Sequence, residues 1–322
     1  MKKIILFDTS IASPNKGDDI IVESCEHQLQ DILKNNYVFH VPTHTPMSHW
    51  YQNFSKFNVG DWFRDIDYKF ICGTNILNAN MFLPMTLWNV NLFNCKIAKG
   101  SIAVGVGMGS KKNRPNLYTR RLLKSILSED YIHSTRDDRS ADFLRELGLK
   151  AVNTGCITTW GLSNEVCGLI PKRKTDKVVF TLTDYAKNRN ADKKLIEILL
   201  RNYNEVYFWI QGVGDLEYLD TIYSGDKIKL IEPSLDAYQR ILGLQPDYVG
   251  TRLHAGIKAM QCMCRSIILT VDNRTEDMKK SINLHCIGRN NIEKLELLIN
   301  EEFDTSLNIK EDNIKLWKEQ FD

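Results

Sequence analysis

Residues 248–271 read YVGTRLHAGIKAMQCMCRSIILTV. Tyr248–Val249 is a short strand ending at Gly250, an apolar helix opens at His254, and another strand follows at Ile267–Val271. Strand, glycine turn, helix and strand in that order build a parallel sheet covered by helices. Upstream the same rhythm predicts strands at Val178–Leu182, Val206–Ile210 and Ile228–Ile231. Helices are predicted at Lys193–Arg201 and Leu235–Leu242, the second behind Ser234 as N-cap. The first half repeats the pattern, with strands at Lys3–Phe7, Lys69–Cys72 and Ser101–Val106. Its helices carry Ile21, Cys25, Leu29, Ile32 and Leu33, then Tyr118–Leu127, then Ser140–Leu147 closed by Gly148.

Between the halves, residues 168–177 (GLIPKRKTDK) interrupt the rhythm with a proline and five charges. The expectation is therefore an N-terminal Rossmann-like domain over 1–168, a linker over 169–177, and a C-terminal Rossmann-like domain over 178–322 with a helical tail. Two domains suit 322 residues. The tail ends in an amphipathic segment with Ile314, Leu316, Trp317 and Phe321, expected to pack back on the first domain.

Composition narrows the function classes. Lys plus Arg (42) nearly balances Asp plus Glu (40), so no whole-molecule field selects nucleic acid, and any anion site must be local. The apolar stretch before Asp8 is too short for a signal peptide or a span, which points to the cytoplasm. Eight cysteines without a Cys-x-x-Cys pair read as reduced, buried thiols, and no metal site is visible.

In open α/β sheets ligands bind beyond the carboxyl ends of the strands, where helix N-termini offer free amide donors. Four turns there have unusual composition: Asn15-Lys-Gly17-Asp18, Gly73-Thr-Asn75, Gly105-Val-Gly107-Met-Gly109, and Gly250-Thr-Arg252-Leu253-His254. They are expected to converge on an interdomain cleft. The last is the strongest signal, because a guanidinium and a titratable imidazole open an apolar helix. Against it stands an ordinary packed histidine at a helix start. Arg136, within Thr135-Arg-Asp-Asp-Arg-Ser140, could grip a carboxylate or phosphate bidentately, or belong to a charged helix start that Asp137 and Asp138 stabilise. Gln211-Gly-Val-Gly-Asp215 reads as a plain turn.

In order, these stretches resemble the polysaccharide pyruvyl transferase family, including Arg136-Asp-Asp-Arg-Ser140 and Gly250–Ala259 followed by Ser266–Asp272. The resemblance implies a GT-B-like α/β fold, two Rossmann-type domains facing across a cleft, with the acceptor on the first domain and the donor on the second. It implies transfer of a pyruvyl group from phosphoenolpyruvate onto a sugar of a bacterial-type surface polysaccharide (exopolysaccharide or capsule) or its lipid-linked precursor, as a ketal. Phosphoenolpyruvate is then the donor substrate and no further cofactor is expected. By the same analogy Arg252 and His254 bind or act on the donor. The chain departs from the family pattern at Gly155-Cys-Ile157, where Gly-Asp-Pro is common, and at Thr74-Asn75, where further glycine or serine is common.

A different donor class is the alternative, since the same architecture serves glycosyltransferases that use nucleotide sugars. A basic cluster, Lys111, Lys112, Arg114, Arg120 and Arg121, would suit peripheral association with the inner membrane face and a lipid-linked acceptor, or a solvated helix face.

Overall fold

The computed structural model describes residues 1–53, 59–63, 65–82, 87–109, 114–271 and 282–322. It divides into two compact units: residues 1–13, 21–160 and 310–322 form the first, and residues 14–20 and 161–309 the second.

The first unit holds β1 (Lys3–Asp8), β2 (Tyr37–Pro42), β3 (Tyr68–Cys72), β4 (Ile102–Val104), β5 (His133–Thr135) and β6 (Ala151–Asn153). The parallel order is β2-β1-β3-β4, and β5 and β6 form a parallel pair. Two side-chain hydrogen bonds and a backbone bridge join the two pieces. The Ala103 N–H donates to His133 Nδ1 (3.1 Å), the Gly105 N–H donates to Ser134 Oγ (2.8 Å), and Val106 bridges Thr135. Burial pushes the His133 pKa down to about 4. The ring is therefore neutral near pH 7, and with Nδ1 accepting, Nε2 donates to the Ser128 carbonyl oxygen at 2.8 Å. Phe7, Ile71, Trp88, Leu122 and Phe143 lie in the core. As expected, the Glu311–Lys318 helix packs on this unit: Trp317 is fully buried, its ring 5.5 Å from that of Trp160 and 6.3 Å from that of Phe70.

The second unit holds β7 (Lys177–Thr181), β8 (Glu205–Trp209), β9 (Ile228–Ile231), β10 (Asp247–Gly250), β11 (Ser266–Thr270) and β12 (Cys286–Gly288). All pair in parallel in the order β12-β11-β10-β7-β8-β9. Counted within the unit this is the doubly wound order 3-2-1-4-5-6, which reverses between β7 and β10. β7, β8 and β11 read as nearly continuous apolar runs because both faces are covered. Val178, Phe180 and Phe208 pack with Leu195 and Leu199 of the Arg189–Asn202 helix, while Val179, Trp209 and Tyr248 pack with Leu242 and Ile257. Ser234 caps the Leu235–Leu242 helix by accepting from the Ala237 N–H, as its sequence predicts.

The units divide at Trp160/Gly161, ahead of the expected linker over 169–177. Leu162, Cys167 and Ile170 sit in the second core, and the Lys172 carbonyl accepts from Arg265 Nε at 3.1 Å, so the charged stretch is anchored there. The 14–20 segment also belongs to the second unit, and the tail from Lys310 to the first. All eight cysteines are free thiols, six of them buried. Among the described residues no helix is long and apolar enough to cross a membrane.

Candidate functional site

The candidate residues fall into two groups, one in each unit. In the second unit, the order reversal places the residues leaving β7 beside those leaving β10. Arg252, the N-cap of the Leu253–Gln261 helix, is 4% exposed. Its Nε donates to the Leu182 carbonyl (2.9 Å), and its Nη2 donates to Asp184 Oδ1 (2.9 Å) and to Asp215 Oδ1. The guanidinium carbon lies 5.1 Å from the centre of the Tyr185 ring. Asp215 is fully buried and also accepts from the Gly212 N–H (2.7 Å). Burial pushes its carboxyl above the usual range, against the opposing pull of Arg252. Arg252 is thus committed to two carboxylates, of which Asp184, with 30% of its side chain exposed, is the more accessible. Leu253 packs against the core, and His254 stands half-buried on the first helical turn.

The Asn15–Asp18 turn belongs to this group. Asn15 Oδ1 accepts from Gln211 Nε2 (2.7 Å) and from the Gly17 N–H (3.1 Å), and the Lys16 N–H donates to the Gln211 carbonyl (2.9 Å). A Cβ at Gly17 would lie 2.7 Å from Gln211 Nε2, so a larger residue there would displace the Gln211 amide. Asp18 is buried in the first turn of the Gly17–Gln28 helix. The 211–215 loop, read from sequence as a plain turn, supplies Asp215 and abuts Arg252: a Cβ on Gly212 would come within 2.2 Å of Nη2. Gln211 Oε1 is buried without a partner among the described residues.

In the first unit, β3 exits through Gly73 and Thr74, both with positive φ (+56° and +57°). A Cβ at Gly73 would also strike Ile21 at 2.4 Å. Asn75 Oδ1 is buried without a partner among the described residues. The Gly107 N–H donates to the Thr74 carbonyl (2.8 Å), and the Gly109 N–H to that of Leu77 (2.8 Å). Arg136 lies against Gly107, where a Cβ would meet its Nε at 2.2 Å. The Arg136 side chain is 17% exposed and its Nε is 3.3 Å from Asp137 Oδ2. Its two terminal amino groups have no hydrogen-bond partner among the described residues. Asp137 also caps the Asp138–Glu146 helix by accepting from the Ser140 N–H at 2.7 Å. Asp137 is thus the cap of this helix, and the Arg136 guanidinium lies beside it, largely buried. At the departure from the family pattern, Ile157 packs on Gly105, whose Cβ would lie 2.9 Å from the Ile157 nitrogen.

Sequence reasoning missed a third arrangement, in the first unit. His40 Nδ1 lies 2.8 Å from Asp8 Oδ2 and its Nε2 lies 3.4 Å from Glu26 Oε1, while Ser10 donates to Asp8 through both N–H and Oγ. The Asp8 hydrogen bond raises the His40 pKa. Burial pushes Asp8 up, but His40 and Ser10 outweigh it, leaving the carboxyl below its ordinary value. An Asp and a His on adjacent parallel strands carry no local sequence signature. Lys111, Lys112 and Asp272 lie outside the described residues.

A doubly wound parallel sheet in the second unit and a parallel sheet with glycine-led turns in the first define a GT-B-like α/β protein. Solved structures bear this out. The UDP-GlcNAc 2-epimerase of Methanocaldococcus jannaschii aligns over 100% of this chain and 99% of its own, with TM-score 0.53 at 14% identity. That of Neisseria meningitidis aligns over 93% and 91%, with TM-score 0.52 at 12% identity. A putative one from Listeria monocytogenes aligns over 93% and 88%, with TM-score 0.55 at 13% identity. Identities this low speak to fold alone. Among curated proteins none matches the sequence. The sequence model of polysaccharide pyruvyl transferases matches residues 15–273, and the chain belongs to that family of transferases.

Proposed function

We propose that this protein transfers the pyruvyl group of phosphoenolpyruvate onto two hydroxyls of a sugar, in a surface polysaccharide or its lipid-linked precursor, and closes a ketal. The observation that carries the proposal is the position of Arg252-Leu253-His254 at the order reversal of the doubly wound sheet. There the positive end of the Leu253–Gln261 helix favours the phosphate of an anionic donor. Arg252 would receive that phosphate by exchanging Asp184, the more exposed of its two carboxylates, while Asp215 stays in place. Arg136, with two unused amino groups above Gly107, would take a carboxylate or phosphate of a substrate.

In the proposed chemistry a proton adds to the methylene carbon of the enol phosphate, and a sugar hydroxyl adds to the neighbouring carbon and loses its proton. The carbon–oxygen bond to phosphate then breaks, phosphate departs, and the second hydroxyl closes the ketal while giving up its proton. His254, on the first helical turn, exchanges protons with the phosphate or the attacking hydroxyl. Arg114 and Arg121, both exposed, together with Arg120, would hold the protein at an anionic membrane surface carrying a lipid-linked acceptor.

Replacing His254 by Ala should abolish phosphate release from phosphoenolpyruvate in the presence of sugar acceptor, with the melting temperature retained; undiminished release removes His254 from the mechanism. Phosphoenolpyruvate should raise the melting temperature of the wild type, and nucleotide sugars should not. The opposite pattern would replace this proposal with a glycosyltransferase.

A further inference from the structure

A pocket of about 420 Å³ lies in the first unit, away from the glycine-led turns, and includes Lys69, Lys96, Lys99, Phe63 and Tyr131 in its walls. Its wall residues Asp67, Gly100 and Tyr131 precede β3, β4 and β5, so it sits at the amino-terminal edge of the strands. The functional turns described above occupy the opposite, carboxyl edge.

Lys69, in β3, is only 8% exposed, and its Nζ makes one hydrogen bond, to the Lys99 carbonyl at 2.9 Å. An ammonium carries three donors, so two are left without a partner among the described residues. Burying a charge so sparsely satisfied is costly, and an apolar side chain of similar length would fill the same space without that cost. Desolvation also lowers the Lys69 pKa, as expected of a cation lacking a counter-charge. Two carboxylates also line the pocket, Asp67 and the exposed Asp130. Lys96 pairs with Asp61 at 3.3 Å, but both side chains are 42% exposed and the pair is screened by solvent. The Asp67 carboxylate already accepts from the Lys3 N–H at 2.7 Å. Gly100 has φ +79°, and a Cβ built there would meet nothing within 4 Å, so the rim is open beside Lys99.

We propose that this pocket binds a small phosphorylated molecule, its phosphate held by Lys69 with Lys96 and Lys99, and its apolar part against Phe63 and Tyr131. Lysine ammoniums suit phosphate as point charges, and the volume falls among those of small-molecule sites, about 300–1,000 Å³. The proposal is independent of the pyruvyl-transfer reading, since it uses other residues at the other edge of the sheet.

The test is calorimetric titration of the full chain with inorganic pyrophosphate, in an Arg136→Met, Arg252→Met, Asp215→Asn background that silences the candidate anion sites at the carboxyl edges of both sheets. Binding should remain in that background and weaken by at least about tenfold on adding Lys69→Met, the loss expected for charge-assisted hydrogen bonds. Adding Lys96→Gln and Lys99→Gln instead should also weaken it, and this second pair keeps the test open if the buried substitution impairs folding. Unchanged pyrophosphate affinity in the Lys96/Lys99 pair or in a folded Lys69→Met protein would overturn the site. Malonate binding as tightly as pyrophosphate would overturn the phosphate assignment. Turnover without pyrophosphate should be the same in Lys69→Met as in the wild type, which separates failure here from failure of the transferase reading.

Discussion

A single methyl group at Gly107 should disable the protein while leaving it folded. A Cβ built there lies 2.2 Å from Arg136 Nε and 2.5 Å from its guanidinium carbon, where ordinary contact begins at 3.4 Å. The guanidinium must therefore retreat by about 1 Å or more, since repulsion rises steeply below contact distance. Backbone strain adds nothing, because Gly107 is not among the glycines with positive φ. The obstacle is the far part of a flexible side chain, so Arg136 yields and the surrounding chain does not. A displacement of about 1 Å in a group that orients substrate costs about a hundredfold in rate. Gly107→Ala is thus expected to lower kcat/KM for phosphate release from phosphoenolpyruvate by about a hundredfold and to change the melting temperature little. Full activity in Gly107→Ala would refute the assignment of Arg136 to substrate. A large loss of melting temperature would refute the claim that only the guanidinium moves.

Two further outcomes follow from buried titratable groups. His133 is held at about 4 against an ordinary 6.5, so between those values the unfolded chain binds a proton that the folded chain refuses. Its contribution is fully present above pH 6.5 and is lost as pH falls toward 4, by about 3 kcal/mol. Urea unfolding at pH 7 and at 4.5 should show His133→Asn losing less stability than the wild type over that interval, and equal losses would contradict the neutral-ring assignment. Arg252→Met should leave the fully buried Asp215 without its cation and cost about 3–5 kcal/mol in urea unfolding. Adding Asp215→Asn should recover part of that loss, and no recovery would mean that the ion pair is not what Arg252 contributes.

Much of the fold was legible because strands buried on both faces read as nearly continuous apolar runs, as at Val178–Leu182 and Ile267–Val271. Four strands gave no such signal. β2 buries only Val41, and β5, β6 and β12 have three residues each. The division at Trp160 is not legible because the charges at 172–177 read as a linker, while Leu162, Cys167 and Ile170, all before those charges, anchor the segment in the second core. At the site, glycine turns and basic residues could be located but their partners could not. Asp184 and Asp215 lie 68 and 37 positions from Arg252, and only strand order brings them to it. Lys69 opens an apolar strand in sequence, which conceals how little of its charge is answered.

The return of residues 310–322 to the first unit also bears on biosynthesis. Trp317 fills its place beside Trp160 only after the whole of 161–309 has been translated. On the ribosome the first unit therefore waits, with an indole-sized gap, through the synthesis of the second. A nascent chain stalled before residue 310 would expose that gap to chaperones.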